Sequence, residues 1–114
     1  MSALQVTARL RIREGKLAEF RVIAASAMQS VREKDSGTLQ YDWFFNDDET
    51  ECVVRETYRD SEAVLEHVAN LGETLGALLA VCDMDLEVYG SPSAELVAAT
   101  TELAPKVYSH FQSI

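Results

Sequence analysis

A change of hydrophobic period near the start of the chain does most to limit what it can fold into. Leu4, Val6, Ala8, Leu10 and Ile12 alternate with Gln5, Thr7, Arg9, Arg11 and Arg13, which predicts a strand with one apolar face. Leu17, Phe20, Ala24, Ala27 and Val31 then recur at three- and four-residue steps, the mark of an amphipathic helix over about Lys16–Lys34. Ser36-Gly37 ends it. An aromatic strand, Leu39–Phe45, and a second strand, Cys52–Tyr58, follow on either side of an Asn- and Asp-rich reversal at Asn46–Thr50. Asp60 or Ser61 caps a second helix that runs to about Asn70, with an interruption at Leu71-Gly72 and an apolar stripe continuing to about Val81. Gly72 and Gly76 are read as sites of close packing. Asp85–Tyr89 alternates again as a fourth strand, Ala94–Leu103 reads as a short helix, and Lys106–Phe111 as a terminal strand.

The order strand, helix, strand, strand, helix, strand predicts an α+β fold of ferredoxin-like, split βαβ type, with both helices on one face of an antiparallel sheet. The 114 residues are expected to form a single domain, 1–114, with a core over about 4–90 and a C-terminal extension over about 91–114. Fixing the first strand by its apolar face sends Arg9, Arg11 and Arg13 to the uncovered side. The same parity turns Met84, Leu86 and Val88 toward the helices and leaves Asp85 and Glu87 opposite. If the first and fourth strands are neighbours, rows of opposite charge lie side by side, either as solvated pairs or as the polar interface of a dimer.

Net charge excludes one class of partner. The chain carries −9, divided as +4 over residues 1–34 and −13 over residues 35–114, so a sequence-independent nucleic-acid surface is not expected. No apolar run is long enough to span a bilayer. Met1–Gln5 has neither the basic nor the apolar stretch of a signal peptide, which predicts a cytoplasmic protein without membrane partners. Cys52 and Cys82 lack metal-type spacing and read as reduced core thiols, a functional thiol being the alternative. The chain has no dinucleotide fingerprint and no phosphate loop.

The segments Gly37-Thr38-Leu39-Gln40-Tyr41 and Glu56-Thr57-Tyr58-Arg59-Asp60-Ser61-Glu62-Ala63, together with His67, resemble the antibiotic biosynthesis monooxygenase domain. The likeness covers roughly Leu4–Tyr89. It implies a dimeric α+β barrel, two sheets packed face to face with helices outside, and a pocket between each sheet and its own helices. Such domains include cofactor-free oxygenases of anthrones and quinols, haem-degrading enzymes and isomerases of small metabolites. The haem-degrading members use an Asn, a Trp and a His at positions that correspond here to Ala8, His67 and Ala77, so haem held in that manner is not expected and no cofactor or metal is assigned.

Within that frame the expected reaction is oxygenation of a small phenolic, anthrone-like or quinol compound by molecular oxygen in a homodimer. The alternatives are proton-transfer isomerisation or lysis of a small metabolite, and small-molecule binding without catalysis. His67 shares the helical arc of Ala63, Val64, Val68 and Leu71, which predicts an inward imidazole able to act as base near neutrality, or else a boundary histidine satisfied by hydrogen bonds. Glu56 falls on the helix-facing side if Val54 and Tyr58 do. There it is either a desolvated carboxylate orienting His67 or a structural ion pair with an arginine such as Arg59. Tyr41, Trp43 and Tyr58 form flat pocket walls or plain core, and Asn70 and Tyr89 are the weaker polar contacts for substrate.

Overall fold

In the computed structural model, which describes residues 3–114, the alternating segment becomes the middle strand of the sheet, β1 (Leu4–Ile12). Met1 and Ser2, the first residues of the stretch read above for a signal sequence, lie outside the described residues. β1 pairs antiparallel with β3 (Glu51–Tyr58) on one side and β4 (Cys82–Tyr89) on the other. β2 (Thr38–Phe45) pairs antiparallel with β3, and β5 (Lys106–Tyr108) runs parallel to β4, giving the order β2-β3-β1-β4-β5. The α+β class, the split βαβ order and the placing of helices on one face therefore agree with the sequence reading.

The parity of β1 decides where the core sits. Leu4, Val6, Ala8 and Leu10 are buried beneath the helices, whereas Gln5, Arg9 and Arg11 are exposed on the other face. Burying a side chain of Leu or Val size contributes about 1.5–3 kcal/mol, so sliding β1 by one residue would forfeit several such terms at once. Helix α1 (Leu17–Lys34) buries Phe20 and Ala27, and Phe20 joins a cluster with Leu10, Cys52, Val54, Leu78 and Cys82. A second cluster joins Leu4, Val6, Tyr58, Ala63, Val64 and Val88 under α2 (Ser61–Leu71). Both cysteines are free and buried. Burial raises both thiols to about 11.

Across the open face, Arg9 reaches Glu87 at 3.4 Å, Arg11 reaches Asp85 at 2.5 Å and Arg13 reaches Asp83 at 3.0 Å. The facing rows expected from parity are present as exposed cross-strand pairs.

Asp60 caps α2, its side chain accepting from the Ala63 N–H at 2.9 Å. At Gly72 the backbone takes φ +52°, and α3 (Glu73–Val81) leaves at 78° to α2. That angle, not close packing, explains Gly72. A Cβ at Gly76 would meet nothing within 4 Å, so the close-packing reading fails there too. The predicted helix over 94–103 is shorter. α4 (Ala94–Ala99) ends at Thr100, whose hydroxyl donates to the Leu96 carbonyl, and a 3₁₀ turn over Thr101–Leu103 replaces the rest. β4 begins earlier than predicted, and β5 stops at Tyr108, short of Phe111. No single helix among the described residues is long and apolar enough to cross a membrane, although the bent pair α2–α3 passes that test by length and composition.

Candidate active site

Between the sheet and α2–α4 lies a cavity of about 320 Å³. Its polar groups gather toward the β2–β3 edge: Tyr41 and Trp43 from β2, Glu56 and Tyr58 from β3, and His67 from α2 all line it. Two residues expected to contact substrate, Tyr89 and Asn70, lie away from this cavity. Tyr89 lies outside this cavity and faces the opposite side of the sheet, hydrogen-bonded to Glu87 and stacked on Tyr108 at 5.3 Å. Its neighbour Val88 points inward, so alternation required this. Asn70 does not line the cavity either; its side chain turns toward α1.

What Asn70 holds is Asp35, the residue that sequence reasoning passed over. Asp35 closes the C-terminus of α1, its N–H donating to Val31 O. Its carboxylate accepts from His67 Nδ1 at 2.8 Å, Asn70 Nδ2 at 2.9 Å and Thr38 Oγ1 at 2.6 Å. The Asp35 side chain is only 1% exposed. Burial alone would push its carboxyl up, but hydrogen bonds from Asn70, Thr38 and His67 outweigh that and hold it below its ordinary value. An ionised carboxylate can only accept, so His67 Nδ1 carries the proton and the lone pair of the neutral ring sits on Nε2. Burial depresses the His67 pKa, and the bond and charge of Asp35 only partly restore it. The ring is thus a neutral, oriented base at neutral pH. It packs edge-on to Tyr41, 5.1 Å between centroids, and tilted to Tyr58 at 5.3 Å.

The loop carrying Asp35 is fastened to α2. Ser36 donates through both its N–H and its hydroxyl to Glu66, and a Cβ at Gly37 would lie 2.5 Å from that of Ala63. Only glycine allows this approach, which gives the Gly37 of the sequence motif a mechanical reason.

Glu56 does face inward, yet it pairs with neither His67 nor Arg59. Tyr58, fully buried, donates its phenol hydrogen to Glu56, and Arg59 pairs with Asp60 at 3.5 Å. Burial raises the Glu56 carboxyl to about 7, opposed by the Tyr58 bond and assisted by the charge of Asp35. Burial likewise pushes the Tyr41 and Tyr58 phenols far above their ordinary range. Two carboxyls near one cavity are therefore driven apart, Asp35 ionised and Glu56 able to hold a proton near neutrality. Trp43 Nε1 is buried without a hydrogen-bond partner among the described residues. Among the described residues no group of three or more His, Cys, Asp or Glu is placed to hold a metal ion.

The far wall was also missed. Leu96, Val97, Thr100, Leu103 and Val107 of the C-terminal extension line the same cavity. These segments read only as a short helix and a terminal strand, with nothing local to say where they would dock.

The chain belongs to the antibiotic biosynthesis monooxygenase family, whose sequence model matches residues 4–71. Solved structures share the fold. MupZ from Pseudomonas fluorescens is 21% identical with a TM-score of 0.87, covering 100% of this chain and 94% of its own. Rv0793 from Mycobacterium tuberculosis is 21% identical with a TM-score of 0.71, covering 81% and 97%. SnoaB, a cofactor-independent oxygenase from Streptomyces nogalater, is 16% identical with a TM-score of 0.68, covering 82% and 97%. No curated protein matches the chain.

Proposed function

We propose that this protein is a cofactor-independent monooxygenase of a small phenolic, anthrone-like or quinol compound. The observation that carries the reading is the Asp35–His67 pair at 2.8 Å, with its imidazole lining a largely apolar cavity. Membership of the family and the likeness to SnoaB support the reaction class.

In this mechanism His67 Nε2 takes a proton from the substrate, and Asp35 stabilises the imidazolium that forms. The resulting carbanion or phenolate passes an electron to dioxygen, and the radical pair combines into a carbon-bound peroxide that recovers the proton. With an anthrone, removal of the second C–H proton then breaks the O–O bond. The carbon is oxidised to a carbonyl, one oxygen atom stays on it, and the other leaves as water. Protonated Glu56 is the donor for the departing hydroxide. Tyr41, Trp43 and Tyr58 flank the ring, and the apolar walls keep bulk water from the intermediates.

Oxygen uptake is expected with a quinol and anthrone panel in protein freed of metal and flavin, unaffected by a chelator. Absence of uptake across the panel would sink the oxygenase. A second reading rests on Glu56: a proton-holding carboxyl in the cavity of a basic imidazole also suits an isomerase or lyase. Product formed equally well under nitrogen would select it, and ligand-induced stabilisation without product would select a binding protein.

The same proposal takes residues 1–114 as one cytoplasmic domain, without nucleic-acid or membrane partners. It places a second copy against the open, charge-paired face of the sheet, which a solution mass of twice 12.6 kDa checks.

A further inference from the structure

The cavity has two chemically different ends. Toward β2 and β3 it is lined by the imidazole of His67, the carboxyl of Glu56, the phenols of Tyr41 and Tyr58 and the indole of Trp43. Toward β4 and β5 it presents Met84, Leu86, Leu96, Val97, Leu103 and Val107. The hydroxyl hydrogens of that second end are already used. Thr100 Oγ1 donates to Leu96 O at 2.8 Å, and Thr101 Oγ1 contacts Val97 O and Ala98 O, both at 3.1 Å. Pro92 and Pro105, which complete the wall, have no N–H to offer. From β3 to β5 are three strand spacings, about 14 Å, well beyond the width of one aromatic ring. The extension that builds this end lies outside the residues matched by the family model.

We propose that residues 92–107 make the cavity select an amphiphile, with an ionisable ring at the His67 end and an alkyl tail lying along Leu96, Val97, Leu103 and Val107. Only the chemistry of the head rests on the function proposed above; the tail rests on the wall. A compact polar metabolite would leave this mostly apolar end to water, whereas each methylene placed there is removed from water at a gain of about fourfold in affinity.

The test is calorimetric binding of a series from 4-ethylphenol to 4-octylphenol, below the concentrations at which they aggregate. Affinity is expected to climb by up to about fourfold per methylene until the tail reaches the mouth, and by more than about tenfold in all. Val97 is half exposed, so Val97→Asp is compatible with folding; it should reduce the octyl-to-ethyl ratio to below about threefold. Leu103→Asp is a second variant, and circular dichroism confirms that each is folded. A total gain below tenfold, or a gain that both folded variants retain, overturns the inference. Because the readout is binding, it separates from turnover. A rising series without oxygen uptake defeats only the oxygenase, and uptake with a flat series defeats only the tail site.

Discussion

His67→Ala is expected to lower turnover by about 10²–10⁴-fold, the usual worth of a positioned general base, while the protein stays folded. The ring is buried and its Nδ1 is bonded to Asp35, so removal leaves a buried carboxylate with one partner fewer. Asn70 and Thr38 still donate to that carboxylate, which limits the structural damage. The activity loss should therefore far exceed any loss of stability. Asp35→Asn tests the positioning role separately. It keeps the shape but removes the charge that stabilises the imidazolium and allows the amide to donate toward Nδ1, favouring the wrong tautomer. The expected signature is a fall in kcat and a shifted pH profile with little change in KM. Unchanged turnover for His67→Ala, measured on protein with an intact circular dichroism spectrum, would remove the residue from the mechanism.

Raising the pH from 4 to 8 is expected to remove about 3 kcal/mol of stability through Glu56 alone. Its carboxyl titrates near 4.5 when unfolded and near 7 when folded, because burial disfavours the charge. Between those values the native state binds the proton and the unfolded chain does not. The contribution is therefore fully present below pH 4.5 and is lost as pH climbs through 7. Asp35 and His67 work in the other direction. Both have folded values below their ordinary ones, so their contributions exist at higher pH and fade as pH falls. Glu56→Gln isolates the first effect, since the amide oxygen still accepts from Tyr58. Urea unfolding at pH 5 and pH 8 should show the variant losing markedly less stability than the parent over that interval. Equal losses would mean that Glu56 is ionised in the fold at both values. The same titration predicts that any step needing a proton from Glu56 slows above about pH 7.

How much of this was legible from residues alone varies by the range of the contact. Period and parity are local, so β1, α1, the hairpin and the inward arc of His67 could be read before any coordinates, as could the arginine rows facing Asp85 and Glu87. Parity was also enough to exclude Tyr89, since Val88 had already been turned inward. The error lay in not carrying the alternation one residue further. Asp35 is different in kind. It sits 32 residues from His67, in a helix-ending Asp-Ser-Gly that looks like an ordinary break, and only the docking of that loop on α2 gives it a partner. Asn70 was noticed for its amide, but which neighbour the amide serves depends on the same docking. The C-terminal wall was hidden for a related reason. β5 joins the sheet in parallel through a crossover, and no local period records where such a crossover lands.

The protonation of the His67 ring is the point on which the chemistry turns, and ¹⁵N-detected NMR of the side chain reads it directly. A neutral imidazole is expected at pH 7, protonated on Nδ1 and bare on Nε2, that titrates below the ordinary histidine value and gains a proton on Nε2 when an acidic phenol binds. A ring that carries its neutral proton on Nε2, or one already doubly protonated at pH 7 and indifferent to the ligand, would contradict it.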